Sequence, residues 1–272
     1  MTFLEKLESR QKKAKSILCV GLDPSREKIP QSIMAKKNPI FEFNKAIIDS
    51  TSSFVCSFKP QAAYYGAIGA EKELEMTIQY IHEEYSDIPV ILDAKRSDIG
   101  STAEMYAMEA FDRYKADAVT VNPYLGFDSV KPFTDRKEKG VIVLCKTSNP
   151  TSKDFQDELI NGVPLYVAVA NKAISEWNYN RNILFVVGAT FPSQLKEIRK
   201  IAPDITFLVP GLGSQGGSVK EAMNNGLRDD GLGIIISSSR AIIHASDRDD
   251  FAEKAKEVAE RNWKEIYENW RN

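Results

Sequence analysis

The stretch PVILDAK, residues 89–95, joins an apolar run to two charged residues. Its apolar part does not alternate with polar residues, which is typical of a strand buried on both faces of a parallel sheet. Seven further runs of this kind occur along the chain, and each ends in a polar or glycine-containing cluster. They are ILCVGLD (17–23), FVCSFKP (54–60), AVTVNP (118–123), VIVLCKTS (141–148), LFVVGAT (184–190), TFLVPG (206–211) and GIIISSS (233–239).

Segments with helical spacing separate these eight runs. After the PVILDAK run, Met105, Met108, Ala110, Phe111 and Tyr114 recur at helical spacing, which predicts a helix with these side chains on one face. Similar stripes follow most of the other runs. Strands and helices therefore alternate, as they do in a closed (β/α)8 barrel and in an open doubly wound sheet.

The count of eight strands and the length of 272 residues favour the closed α/β barrel, because such barrels typically take about 250 residues. No Pro/Ser-rich linker or low-complexity tract divides the chain, so we expect a single TIM-barrel domain over residues 1–272. Amphipathic helices are predicted over residues 2–14 and over about residues 249–270. The longest connection, residues 149–182, is the expected place for an active-site loop.

The overall charge is nearly balanced, with 36 Lys and Arg against 38 Asp and Glu. This balance indicates neither a nucleic-acid surface nor a polybasic membrane anchor. No run approaches the roughly 18 apolar residues of a membrane span, and the N-terminus lacks the apolar core of a signal peptide. Cys19, Cys56 and Cys145 form no CxxC pair and are expected to be buried, reduced thiols. These features predict a soluble cytoplasmic protein.

Polar residues stand at the ends of the predicted strands. Chemistry in (β/α)8 barrels lies at the C-terminal ends of the strands, which meet at one mouth. The residues found there are Asp23, Lys59, Asp93 with Lys95, Asn122, Ser148, Thr190, Gly211 and Arg240. Because they come from separate strands that converge, we expect them to build one site.

The densest cluster is DAKRSDIGST, residues 93–102. Positions two apart on a strand share a face, so Asp93 and Lys95 are expected to project together. Asp98 and Thr102 are four apart at a predicted helix start. Capping of that helix is the alternative explanation for Asp98. Carboxylate neighbours favour the ammonium form of Lys95, which suits a proton donor and not a Schiff-base nucleophile.

A second cluster, PGLGSQGG at residues 210–217, follows the seventh run. Its glycines let backbone N–H groups approach an anion, and Arg240 after the eighth run can hold a phosphate through two hydrogen bonds. Loops seven and eight commonly bind phosphate in these barrels. Gly211, Gly213 and Gly216 also spell GxGxxG, but a dinucleotide motif normally follows the first strand of its unit. The sequence therefore favours a phosphate site.

Metal and serine-nucleophile chemistry have little support in the sequence. His82 and His244 are the only histidines, and neither has a neighbour at metal-ligand spacing. Ser148 lacks the GxSxG context of a nucleophile elbow. We expect no metal and no cofactor.

Several motifs together resemble one family. DAKRSDIGST is similar to the DxKxxDI(G/P)xT signature of the orotidine 5′-phosphate decarboxylases. Shorter motifs occur in the order of that family, namely GLDP (21–24), FKPQ (58–61), TSNP (147–150), PGLGSQGG (210–217) and SSSR (237–240). The resemblance spans Gly21 to Arg240 and points to the longer-chain bacterial branch. It implies cofactor-free conversion of orotidine 5′-phosphate to UMP and CO2 in de novo pyrimidine biosynthesis.

The resemblance also implies roles for the charged residues. Lys95 would stabilise a carbanion at C6 of the pyrimidine and protonate it. Asp93, Asp98 and Lys59 would complete the charged array. Asp98 and Thr102 would reach into the site of a partner subunit, which implies a homodimer.

Substrate contacts follow from the same resemblance. Asp23 and Lys59 would bind ribose hydroxyls, and Ser148 would bind the amide edge of the pyrimidine. Gln215 would bridge base and phosphate, and Arg240 would bind the phosphate.

The chain departs from the family pattern at one position, since Ser239 stands where many members have glycine before the phosphate-binding arginine. Two rival functions share part of the pattern. A barrel decarboxylase or aldolase acting on a sugar phosphate would also carry DxKxxD, but should depend on magnesium. A silent nucleotide-binding barrel would not need the Asp/Lys array.

Overall fold

The computed structural model describes residues 1–211 and 218–271. Eight parallel strands form one sheet with hydrogen-bonded order β2-β1-β8-β7-β6-β5-β4-β3. The strands are β1 (Leu18–Leu22), β2 (Ser57–Pro60), β3 (Ile91–Arg96), β4 (Ala118–Val121), β5 (Gly140–Lys146), β6 (Ile183–Val187), β7 (Phe207–Val209) and β8 (Ile234–Ser238). Isolated bridges between Phe58 and Val90 and between Gln61 and Asp93 join the two edge strands, β2 and β3. The sheet is thus a nearly closed barrel, and the (β/α)8 prediction is confirmed.

Helices surround the barrel. They are α1 (Phe3–Ala14), α2 (Gln31–Met34), α3 (Pro39–Thr51), α4 (Ala62–Gly66), α5 (Glu71–Glu84), α6 (Gly100–Met108), α7 (Phe127–Thr134), α8 (Lys153–Gln156), α9 (Leu165–Lys172), α10 (Pro192–Ile201), α11 (Val219–Gly226), α12 (Arg240–Ile243) and α13 (Phe251–Arg271). Two π-helical turns, Glu109–Arg113 and Ala173–Trp177, continue α6 and α9. A short antiparallel hairpin pairs Leu159–Ile160 with Val163–Pro164.

Apolar side chains are buried on both faces of the strands, which explains why the strand sequences do not alternate. Along β1, Leu18 and Val20 belong to a large cluster shared with the surrounding helices, whereas Cys19 belongs to a small cluster. That small cluster gathers the alternate strand residues with Phe3 and Leu7 of α1. Because Phe3 N–H also donates to the carbonyl of Glu138, just before β5, α1 covers the N-terminal end of the barrel. The C-terminal end of the barrel is not covered by α1 and is therefore the end where a site can form.

The helix after β3 buries a different face from the one predicted. Met105 and Met108 are 55% and 42% exposed, while Ala103 and Ala107 are buried. The chain then widens into the π-helical turn at Glu109–Arg113, which breaks the 3.6-residue period. The predicted single stripe from Met105 onwards was wrong for the two methionines, whereas Ala110 and Phe111 within the turn and Tyr114 directly after it are buried as predicted.

The first and the last segment of the chain are helices that pack on the barrel. Helix α1 begins after Thr2, whose side chain forms a capping box with Glu5. Helix α13 packs against α3 and β1. In the described part of the chain, no helix has both the length and the apolar character needed to cross a bilayer.

Candidate active site

Strand β3 ends in a bulge. Its pairing with β4 shifts register between Leu92 and Arg96. Within the bulge Lys95 has a φ of 48°, a left-handed conformation that costs a non-glycine residue about 1–2 kcal/mol. Thr120 of β4 supports this conformation, because its Oγ1 accepts hydrogen bonds from the N–H groups of Ala94 (3.0 Å) and Lys95 (2.9 Å). Backbone strain of this kind is common at functional sites.

The bulge places two ammonium groups on one carboxylate. Lys95 Nζ lies 2.7 Å from Asp93 Oδ1, and Lys59 Nζ, at the end of β2, lies 2.9 Å from Asp93 Oδ2. Lys59 and Asp93 are buried, whereas the Lys95 side chain is 46% exposed. The structure thus brings three of the predicted catalytic residues together, with Lys95 as the cation that is open to a ligand.

Charge neighbours outweigh burial in this array. Burial alone would lower the pKa of the Lys59 ammonium, but the carboxylates of Asp93 and Asp23 raise it above its usual value. Burial would likewise raise the pKa of Asp93, but Lys59 and Lys95 hold it well below its usual range. Lys59 and Asp93 are therefore both charged at neutral pH.

Asp23 follows β1 and is held by the end of β8. The Ser239 hydroxyl donates a 2.6 Å hydrogen bond to Asp23 Oδ2. Glycine at position 21 permits this approach, since a Cβ on Gly21 would lie 2.6 Å from that of Ser239. The other carboxylate oxygen, Oδ1, is buried without a hydrogen-bond partner among the described residues. It therefore keeps an unused capacity to accept a hydrogen bond.

Ser148 follows β5 and packs against the end of β6. A Cβ at Gly188 would lie 2.8 Å from Ser148 Cα, so glycine is needed for this contact. Thr190 Oγ1 donates a 3.3 Å hydrogen bond to the Ser148 carbonyl. The backbone of Ser148 is thereby fixed at the mouth of the barrel, and its side chain is half-buried.

The predicted phosphate site is described in part. Arg240 begins α12 at the end of β8, and its exposed side chain has no hydrogen bond or ion pair within residues 1–211 and 218–271. Gly211 adopts a φ of 97°, which favours glycine. Gln215, the predicted bridge between base and phosphate, lies outside the described residues.

Asp98 and Thr102 stand apart from the array of their own chain. Asp98 Oδ1 accepts a 2.8 Å hydrogen bond from the N–H of Ile99, and Asp98 forms no ion pair with a described residue. Helix α6 starts at Gly100 without a side-chain cap, so the interpretation of Asp98 as a capping residue was wrong. Asp98 is half-buried and Thr102 is exposed, and both can be reached from outside the chain.

Two residues that make buried polar contacts at the mouth were not predicted from the sequence. Thr120 is one. The other is Lys146 at the end of β5, whose fully buried Nζ lies 2.5 Å from Asp157 Oδ1 and over the ring of Phe191. Asp157 belongs to the connection after β5, which is also tied back by Thr147. A lysine inside the otherwise apolar run VIVLCK was the available signal.

The arrangement is suited to stabilise negative charge that develops at the barrel mouth. Charges fixed in advance need no reorganisation during a reaction, and they act strongly where water is scarce. Asp93 holds the Lys95 ammonium in place, and Lys59 in turn holds Asp93. Within the described residues, no group of three or more His, Cys, Asp or Glu side chains is placed to hold a metal ion.

Comparison with known proteins gives consistent matches. Residues 16–255 match the family described as "Orotidine 5′-phosphate decarboxylase / HUMPS family". An orotidine 5′-phosphate decarboxylase of Cellvibrio japonicus is 55% identical over 261 residues, which cover 95% of this chain and 96% of that protein. The OMP decarboxylase structure of Leishmania donovani is 40% identical with a TM-score of 0.83, covering 98% of this chain and 99% of that one. The UMP synthase structure of the same organism is 42% identical with a TM-score of 0.85, over 98% of this chain and 57% of that one.

The match to the family extends from before β1 into α13 and therefore includes every barrel strand and the whole charged array. The two decarboxylases match over nearly their full length as well as over nearly all of this chain. With its barrel fold, the chain belongs to the orotidine 5′-phosphate decarboxylase / HUMPS family.

Proposed function

We propose that this chain decarboxylates orotidine 5′-phosphate to UMP and CO2, a step of pyrimidine biosynthesis. The observation that carries the proposal is the array in which Lys59 and Lys95 lie 2.9 and 2.7 Å from the two oxygens of Asp93. It stands at the C-terminal end of the barrel, where these folds place their chemistry. The 55% identity to a protein named orotidine 5′-phosphate decarboxylase supports the choice of substrate.

The array fits the electronic demand of this reaction. Breaking the bond between C6 and the carboxylate leaves its electron pair on C6, and CO2 departs. The pair lies in the plane of the ring, where enol resonance cannot accept it. The Lys95 ammonium would stabilise this carbanion by its charge and then transfer a proton from Nζ to C6, giving UMP. Because the Lys95 side chain is 46% exposed, it can regain a proton from solvent.

Substrate groups are assigned to the remaining residues of the mouth. Asp23, with its unpartnered Oδ1, and Lys59 would bind ribose hydroxyls. Ser148 would bind the amide edge of the pyrimidine, and Arg240 would bind the phosphate with two hydrogen bonds. Gln215 would bridge base and phosphate. Binding of the remote phosphate can supply the energy that orders the site before the reaction.

We further propose a homodimer in which Asp98 and Thr102 enter the partner's site. Exposed apolar side chains near them in the sequence support a buried interface, namely Ile99, Met105 and Met108, of which 42–58% is accessible in the single chain. Tyr124 and Leu125 are exposed as well and directly precede α7, which packs against α6. Exposed apolar side chains that group together mark protein interfaces. Such an interface would also explain why the two methionines of α6 face outward.

Residues 1–272 are proposed to form one domain that works in the cytoplasm without a cofactor. The three cysteines are free and buried, which fits a reducing compartment. The expected partners are the nucleotide substrate and a second copy of the chain, with no nucleic acid and no membrane.

The direct test is the loss of ultraviolet absorbance of orotidine 5′-phosphate on addition of purified protein, with UMP identified by chromatography. We expect turnover that EDTA does not change. Lys95→Ala should lower turnover about 1000-fold or more while UMP still binds, because it removes an interaction made mainly in the transition state. Lys37→Ala, an exposed lysine without an ion pair among the described contacts, is the matched control and should behave as wild type.

Other outcomes would reject the proposal. No conversion by the wild-type protein would remove the assigned reaction, and loss of activity in EDTA would favour the magnesium-dependent sugar-phosphate enzymes. Near-normal turnover of Lys95→Ala would exclude Lys95 as the proton donor.

A further inference from the structure

Ser239 occupies a junction between two parts of the site. Its carbonyl accepts hydrogen bonds from the N–H groups of Ile242 (2.8 Å) and Ile243 (3.1 Å), which fix its backbone at the start of α12. Its hydroxyl leaves the helix and donates to Asp23 Oδ2 at 2.6 Å. The residue that follows it is Arg240. One rigid turn thus contacts the carboxylate after β1 and carries the cation after β8.

The segment after β1 is attached to α12 at a second point. The N–H of Ser25 donates a 3.3 Å hydrogen bond to His244 Nε2, directly after the helix. The segment after β1 is thus attached to this short helix at Asp23 and at Ser25, and the hydrogen bond from Ser239 orients the Asp23 carboxylate. Because Ser239 occupies Oδ2, the unpartnered and buried Oδ1 is the oxygen left for a ligand.

A buried carboxylate oxygen without a donor is costly, so a site retains one where a ligand supplies the hydrogen bond. We infer that Ser239 is a positioning residue that directs Asp23 Oδ1 at a ribose hydroxyl and thereby sets the preference of the site for ribonucleotides. This inference rests on the proposed function, in which Asp23 reads the sugar. It gives a role to the serine that stands where many family members have glycine.

The test measures sugar discrimination and not only affinity. UMP, 2′-deoxy-UMP and 3′-deoxy-UMP are titrated calorimetrically into wild type and Ser239→Ala. Wild type should bind at least one deoxy analogue more weakly than UMP. In Ser239→Ala the ratio of these affinities should fall about 5- to 20-fold, the effect of one hydrogen bond to a charged group. Binding of the disfavoured analogue itself should hardly change, because it lacks the hydroxyl that Asp23 reads.

Two further variants separate positioning from general damage. Ser238→Ala is the matched control, since the neighbouring serine lines a cavity with Val258 and Ile266 on the helix-facing side of β8. It should discriminate as wild type does. In an Asp23→Asn background, Ser239→Ala should cause no further loss of discrimination, because two residues that act through one contact are not additive.

An equal loss of affinity for all three nucleotides in Ser239→Ala would overturn the inference, because it would assign the serine to the phosphate or to folding. Unchanged discrimination would overturn it too, as would a wild type that distinguishes neither deoxy analogue. None of these three results bears on the turnover of orotidine 5′-phosphate, which is measured separately. Absence of that turnover in the wild type would instead reject the proposed function.

Discussion

The hydroxyl of Thr120 donates a 2.9 Å hydrogen bond to Oδ1 of Asp93, and so it ties β4 to the charged end of β3. The hydroxyl oxygen of Thr120 also accepts hydrogen bonds from the N–H groups of Ala94 and Lys95. One fully buried hydroxyl therefore orients the central carboxylate and holds the left-handed backbone of the proposed proton donor. The charge array depends on this side chain although it carries no charge.

Replacing Thr120 by valine should damage catalysis more than substrate binding. Thr120→Val keeps the shape but leaves two N–H groups without their acceptor, which costs about 1–3 kcal/mol of stability. We expect kcat to fall about 10- to 100-fold with little change in KM, since Lys95 loses its fixed position. Steady-state kinetics and urea unfolding measure both effects.

Thr134→Val provides the control for that substitution. Thr134 is equally buried, but its hydroxyl hydrogen-bonds to the Lys131 carbonyl and to the Tyr179 hydroxyl, away from the array. The Thr134→Val protein should be less stable than wild type, but its kcat should be unchanged. A Thr120→Val protein with normal kcat, or a Thr134→Val protein with the same kinetic loss, would contradict the role given to Thr120.

Arg240→Ala should weaken transition-state stabilisation through the phosphate alone. We expect the activation free energy obtained from kcat/KM for orotidine 5′-phosphate to rise by about 2–4 kcal/mol, the range for a charge-assisted pair of hydrogen bonds. Orotidine, which lacks the phosphate, should react equally slowly with variant and wild type. Arg248→Ala, an exposed arginine without an ion pair among the described contacts, is the comparison. A loss with orotidine as large as with the nucleotide would show that Arg240 does not act on the phosphate.

Strand positions were predictable because parallel strands buried on both faces have continuous apolar sequences. The charged residues of the site were predictable because they stand at the ends of these apolar runs. The bulge in β3 was not predictable, since the φ of Lys95 depends on hydrogen bonds that the backbone donates to Thr120, a residue 25 positions away. The periodic pattern of α6 misplaced Met105 because the buried face of that helix is formed by the small residues Ala103 and Ala107, which are weaker apolar signals than the methionines.

The ion-pair partner of Lys146 likewise cannot be identified from the run that contains the lysine. A lysine at a strand end is ordinarily solvated, and only the return of the chain at Asp157 supplies its counter-charge. The sequence shows the lysine but not which acid, among the many in the chain, would fold back upon it. Pairings across a long connection therefore had to come from the structure.

Asp157→Asn should destabilise the connection after β5. Lys146 is fully buried, whereas Asp157 is 40% exposed, so solvent screening reduces the cost to about 1–3 kcal/mol. Urea unfolding measures the loss, and limited proteolysis should show faster cleavage between residues 149 and 164. Asp154→Asn in the same connection has no partner among the described contacts and should change neither.

Adding Lys146→Met to Asp157→Asn should recover much of the lost stability, because it removes the buried ammonium that Asp157→Asn leaves without a counter-charge. A double variant less stable than Asp157→Asn alone would mean that Lys146 is not held mainly by this acid.

Mixing two inactive variants tests the shared site. Lys95→Ala and Asp98→Ala should each be nearly inactive. After subunit exchange, half of the dimers would be mixed, and each would contain one intact site, so about a quarter of all sites should recover. Turnover after brief exposure to denaturant, with heterodimers counted by affinity tags, measures this recovery.

Lys95→Ala mixed with Asp93→Ala is the control for subunit exchange, because these two residues contact each other in one chain and no intact site can form. Inactive heterodimers of Lys95→Ala and Asp98→Ala would rule out a contribution of Asp98 across the interface.

Asp117, at the opposite end of the barrel, should make stability depend on acid without affecting activity. It accepts hydrogen bonds from His82, Lys6 and the N–H of Val90. Burial alone would raise the pKa of Asp117, but the contact with His82 and the charge of Lys6 bring it below its usual value. A carboxyl whose pKa is lower in the folded state stabilises the fold above its unfolded pKa, near 4, and loses that contribution as pH falls through the folded value.

Asp117→Asn should therefore be less stable than wild type by about 1–3 kcal/mol at pH 7, and the difference should narrow as the pH falls below about 4. Urea midpoints measured from pH 7 to pH 3 give this difference directly. Asp247→Asn, an exposed acid without a described contact, should track wild type throughout. Since Asp117 precedes β4 and lies away from the mouth, kcat should stay normal at pH 7. A difference in stability that is constant across the range would assign the effect to lost packing and not to the charge of the carboxylate.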